Sequence, residues 1–141
     1  MTMGRDNQSI GLAGEDLVRY VLHRWRYEVF QPCNPNNKCD FVVKSGNNWT
    51  TIQVKTTEEG DRIILKRELG ETIVKGTRNT NTRNFKNYTK DDFKLLFIVK
   101  FPKIYIIPHE IIERQSFFIK DYEDFSYDLS DPEIFNNPPK L

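Results

Sequence analysis

The sequence contains few of the residues that bind zinc or form disulfides. It has two cysteines, Cys33 and Cys39, and two histidines, His23 and His109. A structural zinc site needs four such ligands, usually at closer spacing, and a disulfide framework needs more cysteines. We therefore expect two unpaired structural cysteines, with a metal or redox role as the alternative.

Long apolar runs are also missing. No run approaches the roughly 20 apolar residues that a membrane helix needs. The first six residues, MTMGRD, contain no apolar core of a signal peptide. These absences predict a cytoplasmic protein that does not associate with membranes. The length of 141 residues and the apolar fraction of 38% favour one folded domain spanning 1–141.

The net charge of +1 is uninformative, but its distribution along the chain is uneven. From Arg62 to Lys90, eight basic residues stand against two acids, a local net charge of +6. From Glu110 to Leu141, three basic residues stand against eight acids, a local net charge of −5. This split predicts a basic working surface in segment 61–90. The tail 116–141 is acidic but rich in aromatic residues, so we expect it to pack on the domain or on another subunit.

Residues 9–26 have the periodicity of a helix. Ser9 is the expected N-cap, and the expected apolar stripe consists of Ile10, Ala13, Leu17, Tyr20 and Val21. Gly11 and Gly14 are unfavourable inside a helix and would allow a neighbouring element to approach closely.

Glu15 lies in a second apolar set of the same helix, with Leu12, Val18 and Leu22. A carboxylate that faces a buried surface needs a cation, a metal or a hydrogen-bond donor. Alternatively, Glu15 is a rim residue beside Arg19, its i+4 partner. The pattern alone does not separate these two interpretations.

Several further segments have the character of strands. We expect strands at 27–30, at 93–99 and at 104–107, and two short strands at 63–65 and 72–74 joined through Gly70. Pro108 is expected to open a helix that carries Ile111 and Ile112. Residues 76–90 contain almost nothing that could be buried, which predicts a long loop that is either functional or disordered.

The most informative pattern is a predicted hairpin with strands at 39–43 and 51–57. A two-residue turn at Gly46-Asn47 places Asp40 opposite Gln53. A period of two puts Gln53 and Lys55 on one face. The hairpin therefore brings an acid, an amide and an ammonium together at one end. An ion pair between Asp40 and Lys55 on an exposed hairpin is the alternative explanation of these two residues.

This combination suits metal-dependent hydrolysis of phosphodiesters. Mg²⁺ prefers oxygen ligands and keeps several waters, so one or two carboxylates are sufficient. Asp40 is the first candidate ligand, with the side-chain carbonyl of Gln53 and the main-chain carbonyl of Val54. Glu15 would be an outer ligand or position a water. Lys55 would neutralise phosphoryl charge or orient the nucleophilic water.

The order of these motifs resembles the PD-(D/E)XK nuclease superfamily. The matching segments are Gly14-Glu15, the Asp-led strand 40–43 and the Q-x-K strand Gln53-Val54-Lys55, followed by 88–93 and 104–108. Within the relatives of archaeal Holliday-junction resolvases, the chain is most similar to the bacterial group I intron-encoded homing endonucleases, which also carry Gln in place of an acid. The chain departs from the superfamily pattern at Cys39, where a proline usually precedes the Asp.

The resemblance implies an α/β fold like that of restriction endonucleases, a central mixed sheet flanked by helices in α-β-β-β-α-β order. It also implies Mg²⁺-dependent, sequence-specific cleavage of double-stranded DNA by a homo-oligomer, expected to be a tetramer. The catalytic residues would be Glu15, Asp40, Gln53 and Lys55.

The basic segment supplies the expected DNA contacts, because Arg reads guanine, Asn reads adenine and Lys holds phosphates. The candidates are Arg62, Lys66, Lys75, Arg78, Asn79, Asn81, Arg83, Asn84 and Lys86. The alternative for this segment is a solvated polar loop.

Two other functions compete with the homing endonuclease. A junction resolvase would cut four-way DNA with little sequence preference. A non-catalytic DNA-binding or assembly module would keep the nuclease fold without its activity, and Gln53 in place of an acid is the residue that favours it.

Overall fold

A six-stranded mixed sheet forms the centre of the fold. The computed structural model describes residues 7–33, 38–68, 85–87 and 92–141, with 66–68 and 85–87 described by their backbone alone. In chain order the helices and strands are α1 Asn7–Arg24, β1 Glu28–Phe30, β2 Phe41–Ser45, β3 Asn48–Thr56, β4 Arg62–Ile64, β5 Lys66–Glu68, β6 Phe85–Asn87, β7 Leu95–Lys100, β8 Lys103–Pro108, β9 Ser116–Phe118, β10 Ser126–Asp128 and α2 Glu133–Asn136.

The strand order in the central sheet is β1-β2-β3-β7-β8-β10. β3 and β7 run parallel, and the other neighbours are antiparallel. The mixed sheet with flanking helices confirms the predicted fold class. The connection from β3 to β7 contains β4, β5 and β6, and the helix predicted there is not among the described residues.

The predicted hairpin register is confirmed. Ser45 pairs with Asn48 across the turn, and Phe41 pairs with Ile52 at the far end. Gly46 has a φ of +61°, the left-handed conformation that this turn requires. The alternation of side chains places Ile52 and Val54 on the α1 side of the sheet and Gln53 and Lys55 on the other side.

α1 covers one face of the sheet, but the stripe that it buries differs from the predicted one. The buried residues are Gly14, Val18, Val21 and Leu22. Ala13 is exposed, and Tyr20 is 51% exposed. The helix approaches the sheet closely at Gly14, which has no side chain, and Gly14 belongs to the buried face while Ala13 and Tyr20 lie outside it. No helix in the described segments is long and apolar enough to cross a membrane.

Two details of α1 also correct the prediction. Ser9 is the third residue of the helix, so it is not the N-cap. A Cβ at Gly11 would meet nothing within 4 Å, so this glycine makes no close approach.

The opposite face of the sheet is covered by β4, β9 and the segment around Phe93. Ile63, Leu65, Phe93 and Phe117 pack there against Leu96 and other sheet residues. β4 pairs with β9, 52 residues away at the Ile64–Ser116 pair. The predicted strand 72–74 lies outside the described residues. β5 pairs with β6. The prediction of a loop over 76–90 is therefore wrong at residues 85–87, because these residues form β6.

The tail packs on the domain, as one of the two predicted alternatives. The indole Nε1 of Trp25 donates a hydrogen bond to the main-chain oxygen of Ile134 at 2.9 Å, and Ile119 is fully buried. The expected helix after Pro108 is shorter than predicted: Pro108 ends β8, and His109–Ile111 form one 3₁₀ turn. Cys33 and Cys39 do not form a disulfide with each other, which agrees with the prediction of two structural cysteines.

Candidate active site

Two carboxyl groups from distant parts of the chain meet at the start of β2. Glu15 lies on α1, and Asp40 directly precedes β2. Partial burial, the charge of Asp40 and a hydrogen bond with the Asp40 carboxyl raise the pKa of Glu15 to about 7, while Arg19 acts in the opposite direction. Glu15 therefore has a feature of each interpretation. It contacts a polar partner, Asp40, and it also lies near Arg19.

Asp40 is held in place by the neighbouring strand. Its main-chain N–H donates to the oxygen of Ile52 at 2.8 Å, which extends the hairpin ladder by one residue. Its Oδ2 accepts a hydrogen bond from the main-chain N–H of Val54 at 2.7 Å. One carboxylate oxygen is thus fixed on β3, and the orientation of the carboxyl group is set without any ligand.

Gln53 and Val54 lie directly beside this carboxylate. Gln53 is 8% exposed, which is unusual for a polar side chain in a site at the edge of a domain. Its Nε2 donates to the main-chain oxygen of Val54 at 3.4 Å. Since the N–H of Val54 binds Asp40, the Val54 residue connects the two polar side chains.

Lys55 is the third polar side chain of the predicted hairpin site. It lies two residues after Gln53 on β3, and the two side chains share a face. Burial lowers the pKa of its ammonium group, and the nearby charge of Asp40 opposes this shift. The predicted proximity of Lys55 and Asp40 is therefore present in the structure. The Cys39 thiol also feels Asp40, since burial and the Asp40 charge both raise its pKa.

The position of Glu15 depends on a contact that sequence reasoning missed. Gly14 precedes Glu15, and Thr56 follows Lys55. A Cβ at Gly14 would lie 1.8 Å from Oγ1 of Thr56. The helix and the strand therefore touch one residue away from the candidate side chains of Glu15 and Lys55. Gly14 was a recognisable signal of a close approach, but nothing local in the sequence marked Thr56 as its partner.

The donor set suits a hard divalent cation. In the described residues no group of three His, Cys, Asp or Glu side chains gathers as a metal site. The oxygen donors are the carboxyl groups of Glu15 and Asp40, together with the amide of Gln53 and the carbonyl of Val54. Two carboxylates with neutral oxygens match the modest protein ligation of Mg²⁺ and lack the nitrogen and sulfur ligands of zinc.

The predicted DNA contacts are described only in part. Arg62 is exposed on β4, and its Nε donates to Oγ of Ser116 at 2.9 Å. Lys66 lies on β5 and Lys86 on the paired strand β6. The other six candidates lie outside the described residues: Lys75, Arg78, Asn79, Asn81, Arg83 and Asn84.

Comparison with known proteins shows a likeness of structure and none of sequence. No protein-family model matches the sequence, and no curated protein is significantly similar to it. The structure is similar to that of a bacterial homing endonuclease, I-Ssp6803I, with a TM-score of 0.64. The two chains share a fold. The superposition covers 81% of this chain and 78% of the other at 13% sequence identity. At this identity the likeness establishes the architecture and leaves the reaction to be argued from the site.

Proposed function

We propose that the protein is a magnesium-dependent endonuclease that hydrolyses phosphodiester bonds of double-stranded DNA. The observation that carries the proposal is the contact between the carboxyl groups of Glu15 and Asp40. Two ionised carboxylates in contact repel each other, and a divalent cation between them removes this repulsion. The nuclease-like fold supports the same reaction.

Each residue of the site has a role in this reaction. Asp40 and Glu15 would hold the cation through carboxylate oxygens, and Gln53 and Val54 would add neutral oxygens. Bound Mg²⁺ would polarise the phosphate and lower the pKa of the attacking water. Because Val54 already holds Oδ2 of Asp40 at 2.7 Å, this carboxylate needs little reorganisation to bind.

Lys55 would act on the phosphoryl group. It lies on the face of β3 that also carries Gln53, close enough to Asp40 for the two charges to interact. An ammonium here would neutralise charge that develops on the phosphate or orient the attacking water. Burial strengthens either effect, because the surroundings screen the charge less than bulk water does.

The superfamily, the DNA-recognition segment, the oligomeric state and the location are also proposals. We infer a PD-(D/E)XK homing endonuclease that recognises its DNA site through segment 61–90. Cleavage of both strands needs two active centres, and the described residues of one chain form a single candidate site, so we infer a homo-oligomer. That this oligomer is a tetramer is what the resemblance to homing endonucleases implies. We also infer a cytoplasmic location, with which the lack of a disulfide between Cys33 and Cys39 agrees.

Cleavage of a plasmid library in Mg²⁺, compared between wild type and Asp40→Ala, tests the reaction. We expect wild type to cut a subset of the plasmids, and EDTA or Asp40→Ala to prevent cutting. If wild type leaves every DNA intact, the nuclease proposal fails and a non-catalytic module remains. If wild type cuts four-way junctions in preference to linear duplexes, the protein is a junction resolvase.

A further inference from the structure

A small exposed surface joins the basic segment to the acidic tail. β4 and β9 form a two-stranded ribbon in which Arg62 opposes Phe118 and Ile64 opposes Ser116. These four side chains alternate with the buried Ile63 and Phe117, so they share the outer side of the ribbon. We call the outer residues Arg62, Ile64, Ser116, Phe118 and Lys120 the ribbon face.

The ribbon face is both apolar and basic. Ile64 is 51% exposed and Phe118 is 48% exposed. Nζ of Lys120 lies 5.4 Å from the centroid of the Phe118 ring. Arg62 is the cross-strand partner of Phe118, so a second cation belongs to the same exposed side of the ribbon.

The guanidinium of Arg62 is oriented across the ribbon. Its Nε donates to Oγ of Ser116 at 2.9 Å, a contact that uses one of its five N–H donors. The adjacent carboxylate, Asp61, is half-buried, and its charge contributes, after burial and the interactions with Glu123, to the raised pKa of the buried Tyr105.

The ribbon is also firmly attached to the domain. The N–H of Leu65 donates to the oxygen of Gln115 at 2.6 Å, and the N–H of Ile119 donates to the oxygen of Asp61 at 2.7 Å. Leu65 is fully buried, and it is the single residue between β4 and β5. The ribbon face thus stands on rigid backbone at the point where the chain enters the basic segment.

We propose that the ribbon face binds the phosphate backbone of double-stranded DNA and that Lys120, although it belongs to the acidic tail, is one of its phosphate contacts. The inference rests on the proposed nuclease function and extends its DNA surface beyond segment 61–90. Arg62 and Lys120 supply the positive charge, and Phe118 with Ile64 supplies apolar contact for the sugars between phosphates.

Salt-dependent binding of a short random-sequence DNA duplex to the full chain tests the proposal, with EDTA present to prevent cleavage. We expect Arg62→Ala and Lys120→Ala each to reduce the slope of log affinity against log salt by about 0.9, the value for one lost phosphate contact. Lys140→Ala is the matched control, because it removes the same charge from an exposed position in the same tail. Its slope should equal that of wild type.

Three other outcomes would overturn the proposal. Equal slopes for Lys120→Ala, Lys140→Ala and wild type would remove Lys120 from the DNA surface, even if wild type still cuts DNA in Mg²⁺. A change in sedimentation mass for Phe118→Ala, with the DNA affinity of wild type, would assign the ribbon face to a second copy of the chain. Failure of wild type to bind the duplex would reject this surface, and failure to cut any DNA in Mg²⁺ would separately reject the nuclease function.

Discussion

Gly14 of α1 lies so close to Thr56 of β3 that no side chain fits between them: an added Cβ would lie 1.8 Å from Oγ1 and 2.8 Å from Cβ of Thr56. Glu15 and Lys55 are the adjacent residues on the two elements. The contact therefore sets the distance between the helix and strand that carry the candidate site. Removing it should affect both stability and metal binding.

Gly14→Ala should destabilise the protein by about 1–3 kcal/mol, because Oγ1 and Cβ of Thr56 must both shift. Gly11→Ala is the control, since nothing lies within 4 Å of its added Cβ, and it should stabilise the helix by up to about 1 kcal/mol. Urea denaturation of both variants measures the difference. Equal stabilisation by the two substitutions would show that the Gly14–Thr56 contact is not tight.

Glu15→Gln should make the metal-free protein more stable at high pH. The folded pKa of Glu15, about 7, exceeds its ordinary value of 4.5, so the folded state binds the proton more tightly. This contribution to the free energy of unfolding is present below pH 4.5 and is lost as the pH rises through 7. At pH above 7 we expect the variant to exceed wild type by about 1 kcal/mol, a value reduced for screening at a partly exposed site.

Thermal unfolding of wild type and Glu15→Gln across the pH range measures this difference. The two proteins should converge in acid, where Glu15 is protonated and resembles the neutral amide. A constant difference at every pH would show that the carboxyl proton of Glu15 is not involved. Mg²⁺ should raise the melting temperature of wild type more than that of the variant.

Asp40→Asn should retain the fold and lose metal binding. The amide oxygen of Asn can still accept the hydrogen bond from the N–H of Val54, so the hairpin should remain intact. The ionised ligand is lost, however, and we expect Mg²⁺ affinity to fall by at least about 100-fold. Mutation of a residue that only hydrogen-bonds to a metal ligand costs up to about 100-fold, and loss of the ligand itself should cost at least as much. Calorimetric titration with Mg²⁺ checks this, and unchanged affinity would exclude Asp40 as a ligand.

Arg78→Ala and Arg83→Ala, in the basic segment outside the described residues, should weaken DNA binding and leave the fold intact. An Arg that reads guanine should contribute about 1–3 kcal/mol to discrimination between base pairs. Electrophoretic mobility of the cognate duplex at matched salt measures affinity, and circular dichroism controls for the fold. Unchanged affinity at matched salt would refute the assignment of these two residues.

Local rules explain why much of the hairpin was predictable. Gly46-Asn47 selects a two-residue turn, and the period of two then sets every pair down to Phe41 and Ile52. The proximity of Asp40 to Gln53 and Lys55 follows from the same rules. The strands β7 and β8 were recognisable for a similar reason, because each is a short apolar run bounded by turn residues.

Pairings between distant segments were not predictable in this way. Ile63 could pair with any apolar strand, and its partner, Phe117, is 54 residues away. Ile73, in the predicted strand 72–74, has the same pattern and lies outside the described residues. Burial accompanies the observed pairing, since Ile63 and Phe117 fill the same cluster over the sheet.

The sequence by itself determined the period of each element and the turn of the hairpin, since these depend on side chains a few residues apart. It thereby placed Asp40 beside Gln53 and Lys55. Only the tertiary structure decided that Glu15 meets Asp40 and that Lys120 lies beside the ring of Phe118, the cross-strand partner of Arg62. Those contacts depend on how the surfaces of distant elements fit, as at Gly14 and Thr56, and steric fit of this kind leaves no periodic signal in the sequence.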